Sequence, residues 1–167
     1  MDAYNHFQYA EALTRRLKLF IPGIERGEKV FFTAPNSDSL LSISQRLSSI
    51  NYPVLVAVNG FDADYSDNTA DALFEKAQYF IMLLQPAETD NPELILSYQE
   101  ECKKNALQIQ ARMIHDSHKY LNGLTNLLNN TFTVRSIGPI GDNLYGVIMG
   151  FNVQDNINYL IKTDMWV

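Results

Sequence analysis

The feature that most constrains the fold is a pair of apolar runs of strand length. Residues 53–59 read PVLVAVN, and residues 79–84 read YFIMLL. A near-continuous apolar run of this length is typical of an inner strand that is covered on both faces of its sheet. Residues 60–69 are polar and are predicted as a loop, and the second run is the second half of the segment 72–84 that follows. Because this loop is short, the two strands are expected to form an antiparallel hairpin.

Three segments have the spacing of amphipathic helices. Apolar residues recur at three- and four-residue steps over residues 4–20, 38–50 and 92–120. The first helix is predicted to end at Pro22-Gly23. The third is the longest, and its apolar residues fall in one narrow stripe on a helical wheel: Ile95, Tyr98, Cys102, Ala106, Ile109, Met113 and Tyr120.

The remaining segments are predicted from shorter patterns. Residues 29–34 form a short strand, and residues 122–128 a short helical stretch. Phe132 and Val134 begin a closing hairpin whose second strand alternates from Val147 to Val153. Residues 159–162 are expected to form a last edge strand.

In the predicted order of elements, two pairs of strands follow each other without an intervening helix. One pair lies in the middle of the chain and the other at its end. Such a pattern argues against a doubly wound parallel sheet. The sequence therefore predicts one α+β domain over residues 1–167. It has a mainly antiparallel sheet of four to five strands packed against two or three helices, one of them long (about 92–120).

The charge balance and the length of the apolar runs argue against two classes of partner, nucleic acids and membranes. The chain has 13 basic and 19 acidic residues, for a net charge of −6. Nucleic-acid binding depends on neutralising phosphates with Lys and Arg, so an acidic chain without basic clusters is not expected to bind nucleic acid. The longest apolar run is too short for a bilayer, which needs about 20 residues, and the start of the chain does not resemble a secretory signal. We expect a cytoplasmic protein with no membrane partner.

One segment of the long helix carries the best candidates for chemistry. His115 and His118 project close together at helical spacing, so both could contact one metal ion. Asp116 points toward the apolar stripe, where Arg112 is its expected partner. A third ligand would have to come from elsewhere, and His6 is the remaining histidine. Two solvated histidines are the preferred interpretation, and a metal-dependent enzyme using them is the alternative.

Other candidate sites fail on their spacing. Asp62, Asp64 and Asp67 alternate as calcium ligands do, but the positions that require Gly and Glu hold Asp67 and Leu73. The only cysteine, Cys102, lies on the buried stripe and is predicted to be a core residue. The glycines and serines match neither a phosphate-binding loop nor a nucleophile elbow. The sequence therefore predicts a non-enzymatic protein with no cofactor, metal or small-molecule substrate, which acts by binding other proteins.

A phrase near the end of the chain carries a family resemblance. Residues 136–147 read SIGPIGDNLYGV and lead into IMGFNV at residues 148–153. This phrase, after a sheet hairpin and a long helix, resembles small minor tail proteins of bacteriophages and prophages, of the tail-terminator or tail-completion type. In those proteins a phrase similar to DNLYGV precedes a final strand that joins the core sheet. Asp164-Met165-Trp166 is also similar to an Asp-x-Trp ending found in that group.

The resemblance implies a structural role. The protein would self-assemble, as a ring of possibly six subunits, at one end of a tail tube and would contact other tail proteins. It would lie in the cytoplasm of the bacterial host during assembly and then in the virion tail. A closed ring needs two different complementary faces on each subunit. The candidate residues for these faces are Asp62, Asp64, Asp67, Lys103, Lys104 and Trp166.

A further alternative to a tail protein is a small domain that binds a peptide on an exposed sheet edge.

Overall fold

The computed structural model describes residues 4–35, 40–67, 73–87, 91–119 and 124–156. The helices in these ranges are α1 (His6–Thr14), α2 (Ile21–Glu25), α3 (Leu40–Leu47) and α4 (Pro92–His118). The strands are β1 (Phe31–Ala34), β2 (Val54–Asp67), β3 (Leu73–Pro86), β4 (Leu127–Ile140) and β5 (Leu144–Asn156). They form one sheet in the order β1-β2-β3-β5-β4, in which only the β1–β2 pair is parallel. The predicted α+β class is confirmed.

The centre of the sheet is covered on both faces. Successive side chains of a strand point to opposite faces. On β2, Leu55 and Ala57 therefore join a core with α1 and α4, while Val54, Val56 and Val58 join a second core with α3. All five side chains are buried. The predicted inner strand is confirmed, and so is its antiparallel pairing with β3.

The long helix lies close to its predicted position. Asn91 caps α4 because its side chain accepts a hydrogen bond from the backbone N–H of Leu94. Pro92 occupies the first turn, where no helical N–H bond is lost. The apolar stripe contributes a row of fully buried residues to the core: Cys102, Ala106, Ile109 and Met113.

The prediction of a loop over residues 60–69 is wrong for most of that segment. β2 continues to Asp67 after an irregularity between Asn59 and Ala63, and it pairs there with β3. On the other side β3 pairs with β5 as far as the end of β5, where Phe74 is opposite Asn156. A polar segment becomes a strand here because β3 satisfies backbone hydrogen bonds along one of its edges.

Two helix predictions also need correction. The first helix ends at Thr14, and a 3-10 helix (Lys18–Phe20) and α2 follow it. Pro22 therefore lies in the first turn of a helix, which proline tolerates, instead of ending one. Of residues 122–128, Leu124–Asn126 is a 3-10 helix, and β4 already begins at Leu127.

The closing hairpin is confirmed. β4 and β5 pair around a tight turn at residues 141–143. Gly146 marks a close backbone approach, because a Cβ at this position would collide with the carbonyl oxygen of Leu83 on β3. β5 thus begins within the DNLYGV phrase and joins the core sheet. The strand predicted at residues 159–162 lies outside the described residues.

Candidate functional site

The three histidines do not share a site. His6 Nδ1 lies 3.0 Å from the hydroxyl of Tyr4, and its Nε2 lies 3.0 Å from the carbonyl oxygen of Phe80. His115 and His118 are exposed on α4. In the ranges that the structure describes, no three His, Cys, Asp or Glu side chains come together to hold a metal ion.

His6 is a structural link between α1 and the sheet. A carbonyl oxygen can only accept, so Nε2 donates to Phe80 and Nδ1 accepts from the Tyr4 hydroxyl. The ring packs beside Tyr79 and Phe151, with ring centroids 4.8 and 5.8 Å away. Burial lowers the pKa of His6 to about 4. The ring is therefore neutral at pH 7.

Asp116 lies at the centre of a polar network that joins α1 to α4. Its side chain is only 1% exposed, and it accepts hydrogen bonds from the Tyr9 hydroxyl and from Arg112 Nε, each at 3.0 Å. His115 Nδ1 lies 3.3 Å from it. Burial alone would raise the pKa of Asp116, but hydrogen bonds from Arg112, Tyr9 and His115 outweigh that effect and hold it below its usual range. The predicted pairing with Arg112 is confirmed.

A cleft of about 190 Å³ lies beside this network, between α1 and α4. Six side chains line the cleft. Three are apolar (Leu13, Leu17 and Ile109), and three are polar (Arg16, Gln108 and Arg112). Arg112 contacts Asp116 through Nε, which leaves its terminal nitrogens as further donors. Arg16 forms no ion pair with the residues that the structure describes. We call this feature the basic cleft.

A second charged feature lies on the extended part of the β2–β3 hairpin. Tyr65 on β2 and Asp155 on β5 both have Glu75 on β3 as their partner across the strands. Tyr65 donates a hydrogen bond of 3.3 Å to Glu75, and it is 62% exposed. By strand alternation Glu75 and Asp155 share a face with Ile81 and Val153, which pack beneath α1 and α4. We call Tyr65, Glu75 and Asp155 the acidic strand surface.

The two carboxylates of the acidic strand surface repel each other. Like charges directly opposite on neighbouring strands destabilise a sheet. Burial and the negative charge of Glu75 raise the pKa of Asp155. Within the described part of the chain, no Lys or Arg forms an ion pair with either carboxylate.

The predicted assembly residues whose side chains the structure describes fall on two separate elements. Asp64 is exposed on β2, and its cross-strand partner is Lys76. Lys103 and Lys104 are exposed on α4. The side chains of Asp62 and Asp67, and all of Trp166, lie outside the residues whose side chains the structure describes.

Cys102 behaves as the sequence predicted. It is fully buried, and the Gln85 side-chain amide lies 3.6 Å from its sulfur. Burial raises the pKa of the thiol to about 12, so it is not a thiolate at neutral pH.

The sequence did not reveal the basic cleft or the acidic strand surface. Arg16 and Arg112 lie far apart in the chain, and the packing of α1 on α4 brings them together. Glu75 and Asp155 become neighbours only through the register of β3 and β5. Glu75 and Asp155 lie just beyond the strands predicted at residues 79–84 and 147–153, at positions that continue the alternation of the buried side chains, and this was the available signal.

No protein-family model matches this chain, and no curated protein matches it at a significant level. No helix in the described ranges combines the length and the apolar composition that a membrane span requires.

Proposed function

We propose that this chain is a structural subunit of a phage or prophage-derived tail, and that it self-assembles as a ring at one end of the tail. It would form in the cytoplasm of the bacterial host and remain in the virion tail. The proposal rests first on the resemblance of residues 136–153 to minor tail proteins. The structural observation that carries it is the outer surface of α4.

The outer surface of α4 combines apolar and basic side chains. Leu96 is 57% exposed and Leu107 is 47% exposed. At about 100° per residue, these two leucines and Lys103 lie within one narrow stripe of the helix. Exposed large apolar side chains on a rigid element are suited to protein contact, and the aliphatic part of a lysine can add to such a surface. This stripe includes one of the assembly residues that the sequence predicted.

The bonds of the reactive side chains favour a structural role over a catalytic one. His6 joins α1 to β3, Asp116 joins α1 to α4, and Cys102 packs in the core. Each of these groups is thus used to hold the fold together. The alternative of a metal-dependent enzyme needs a third ligand beside His115 and His118.

The size of the assembled protein tests the proposal. Native mass spectrometry and light scattering at increasing concentration should give a defined oligomer, with six subunits as the expected size. The protein should also bind purified tail-tube protein of the same phage. A strict monomer that does not bind tail-tube protein would contradict the proposal.

The α4 stripe can be tested by mutation. Replacing both Leu96 and Leu107 by Gln should weaken assembly by about tenfold or more, because buried apolar anchors dominate interface energies. Glu101→Gln, on another side of the same helix, is the matched control and should assemble normally. If the leucine variant assembles as the wild type does, the stripe is not part of the interface.

Metal analysis separates the enzymatic alternative from the structural proposal. An enzyme of that kind would purify with stoichiometric zinc or a similar ion, which His115→Ala and His118→Ala would remove. We expect elemental analysis to give less than about one tenth of an equivalent of metal, since two helical histidines alone make an incomplete site.

A further inference from the structure

We propose that the basic cleft binds the acidic strand surface of a second copy of this chain. This inference rests on the proposed self-assembly and names the two surfaces that meet. It differs from the α4 stripe, because the cleft opens between α1 and α4 and the acidic strand surface lies on the hairpin.

The two surfaces are complementary in charge and in polarity. The cleft presents the guanidinium groups of Arg16 and Arg112 above an apolar lining. The acidic strand surface presents the carboxylates of Glu75 and Asp155 beside the exposed ring of Tyr65. Arginine binds carboxylates through paired, charge-assisted hydrogen bonds. The apolar lining of the cleft offers a contact for the tyrosine ring.

Among the described residues of one copy, each surface has an incomplete set of partners. Glu75 and Asp155 face each other without a basic partner among the described residues, and burial limits how well water can screen them. Arg16 likewise has no acidic partner in the described part of the chain. A contact between two copies would give each carboxylate a guanidinium and would remove the repulsion.

The geometry favours a head-to-tail contact. α1 starts at the level of Phe80, to which His6 is bonded. Glu75 lies further along β3 toward the hairpin end. The end of α1, where the basic cleft lies, is close to Phe31, which is level with Leu83 in the other direction along β3. Because the two surfaces lie on different parts of one copy, a copy can offer its acidic surface to one neighbour and its cleft to another. Contacts of this kind form a ring when the rotation between copies closes.

Charge reversal on both sides provides the first test. Arg16→Glu and Glu75→Lys should each raise the dissociation constant of the oligomer by about tenfold or more. An equal mixture of the two variants should recover assembly to within about threefold of wild type. In that mixture the reversed cleft meets the reversed strand surface, and the unchanged cleft meets the unchanged surface. Sedimentation velocity measures all four samples.

Two variants serve as matched controls for charge alone. Arg15→Glu changes the neighbouring residue, which is exposed and paired with Glu11. Ser66→Lys places a positive charge on the opposite face of the same hairpin, at an exposed position. Both should assemble as the wild type does. Circular dichroism checks folding, and Arg16→Gln replaces the reversal if that variant unfolds.

Neutralising Asp155 provides the second test, because it separates assembly from stability. Asp155→Asn should raise the melting temperature of the monomer, since it removes the repulsion from Glu75. The same variant should weaken assembly, since it removes a partner of the cleft. If stability and assembly both rise, the carboxylate is not an interface group and the inference is overturned.

The outcomes distinguish this inference from the proposed function. If the wild type forms a defined oligomer that Arg16→Glu and Glu75→Lys leave unchanged, the named interface is wrong and self-assembly stands. If the wild type is a monomer at every concentration, both proposals fail. Loss of assembly in each variant, with recovery in the mixture, supports both.

Discussion

Asp116 and Asp155 are two carboxylates on the same side of the sheet, and their pKa values are shifted in opposite directions. Asp116 is almost fully buried, yet its pKa is held below the usual range by three hydrogen-bonding partners. Asp155 is less buried, yet its pKa is raised by burial and by Glu75. The partners of a carboxylate, and not its depth alone, decide which protonation state the fold favours.

The opposite pKa shifts mean that the ionised form of Asp116 stabilises the fold, whereas the ionised form of Asp155 destabilises it. Asp116 joins two helices through Tyr9 and Arg112, so its charge is part of the packing. Asp155 adds a repulsion that the strands overcome by their backbone pairing. In the proposed contact between copies, the guanidinium groups of the basic cleft would remove this repulsion.

The largest expected effect comes from removing the carboxylate of Asp116. Asp116→Ala leaves the buried Tyr9 hydroxyl and Arg112 without their acceptor, and we expect a loss of about 3 kcal/mol in the free energy of unfolding. Urea denaturation measures it. Glu11→Ala, which breaks the exposed pair with Arg15, is the control and should cost less than about 0.5 kcal/mol. Equal losses in the two variants would mean that the network contributes no more than a surface pair.

An intermediate effect is expected from His6, a third buried titratable group on this side of the sheet. Its pKa is about 4 in the folded protein and about 6.5, the ordinary value of histidine, in the unfolded chain. The folded state thus binds the proton less well than the unfolded state. Stability is complete above pH 6.5 and falls as the pH is lowered toward 4. Between pH 7.5 and pH 5, we expect this histidine to contribute a loss of about 2 kcal/mol.

Comparison of variants isolates the contribution of His6 from that of the carboxylates. The difference in unfolding free energy between pH 7.5 and pH 5 should be smaller in His6→Gln than in the wild type, because glutamine does not titrate. His118→Gln, at an exposed position, should follow the wild-type curve. A pH dependence that is unchanged in His6→Gln would show that the ring is not held neutral by the fold.

The smallest effect is expected at Asp155, and it has the opposite sign. Because the folded pKa is raised, protonation of Asp155 favours the folded state, and its destabilising effect appears as the pH rises through that pKa. Asp155→Asn should increase the unfolding free energy of the monomer at pH 7 by a few tenths of a kcal/mol, the scale of a cross-strand pair. The gain should vanish at acidic pH. Thermal melts at both pH values, below the concentration of assembly, measure it.

Local patterns predicted much of the fold. The strand at residues 53–59 and the apolar stripe of α4 were predicted correctly. A strand buried on both faces leaves a continuous apolar run, and a helix buried on one face leaves a helical period. The pairing of Asp116 with Arg112 was also found, since both lie on one helix at i and i+4 spacing. The extension of the hairpin through Asp67 was missed, because polar residues give no apolar period there.

The amino-acid sequence was sufficient to locate the long helix and the central strands and to pair Asp116 with Arg112 within one helix. Those features depend on residues that are close together in the chain. Only the packing of α1 on α4 places Arg16 and Arg112 around one cleft, and only the register of β3 and β5 places Glu75 opposite Asp155. Contacts between distant segments depend on helix packing and strand register, neither of which leaves a local pattern in the amino-acid sequence.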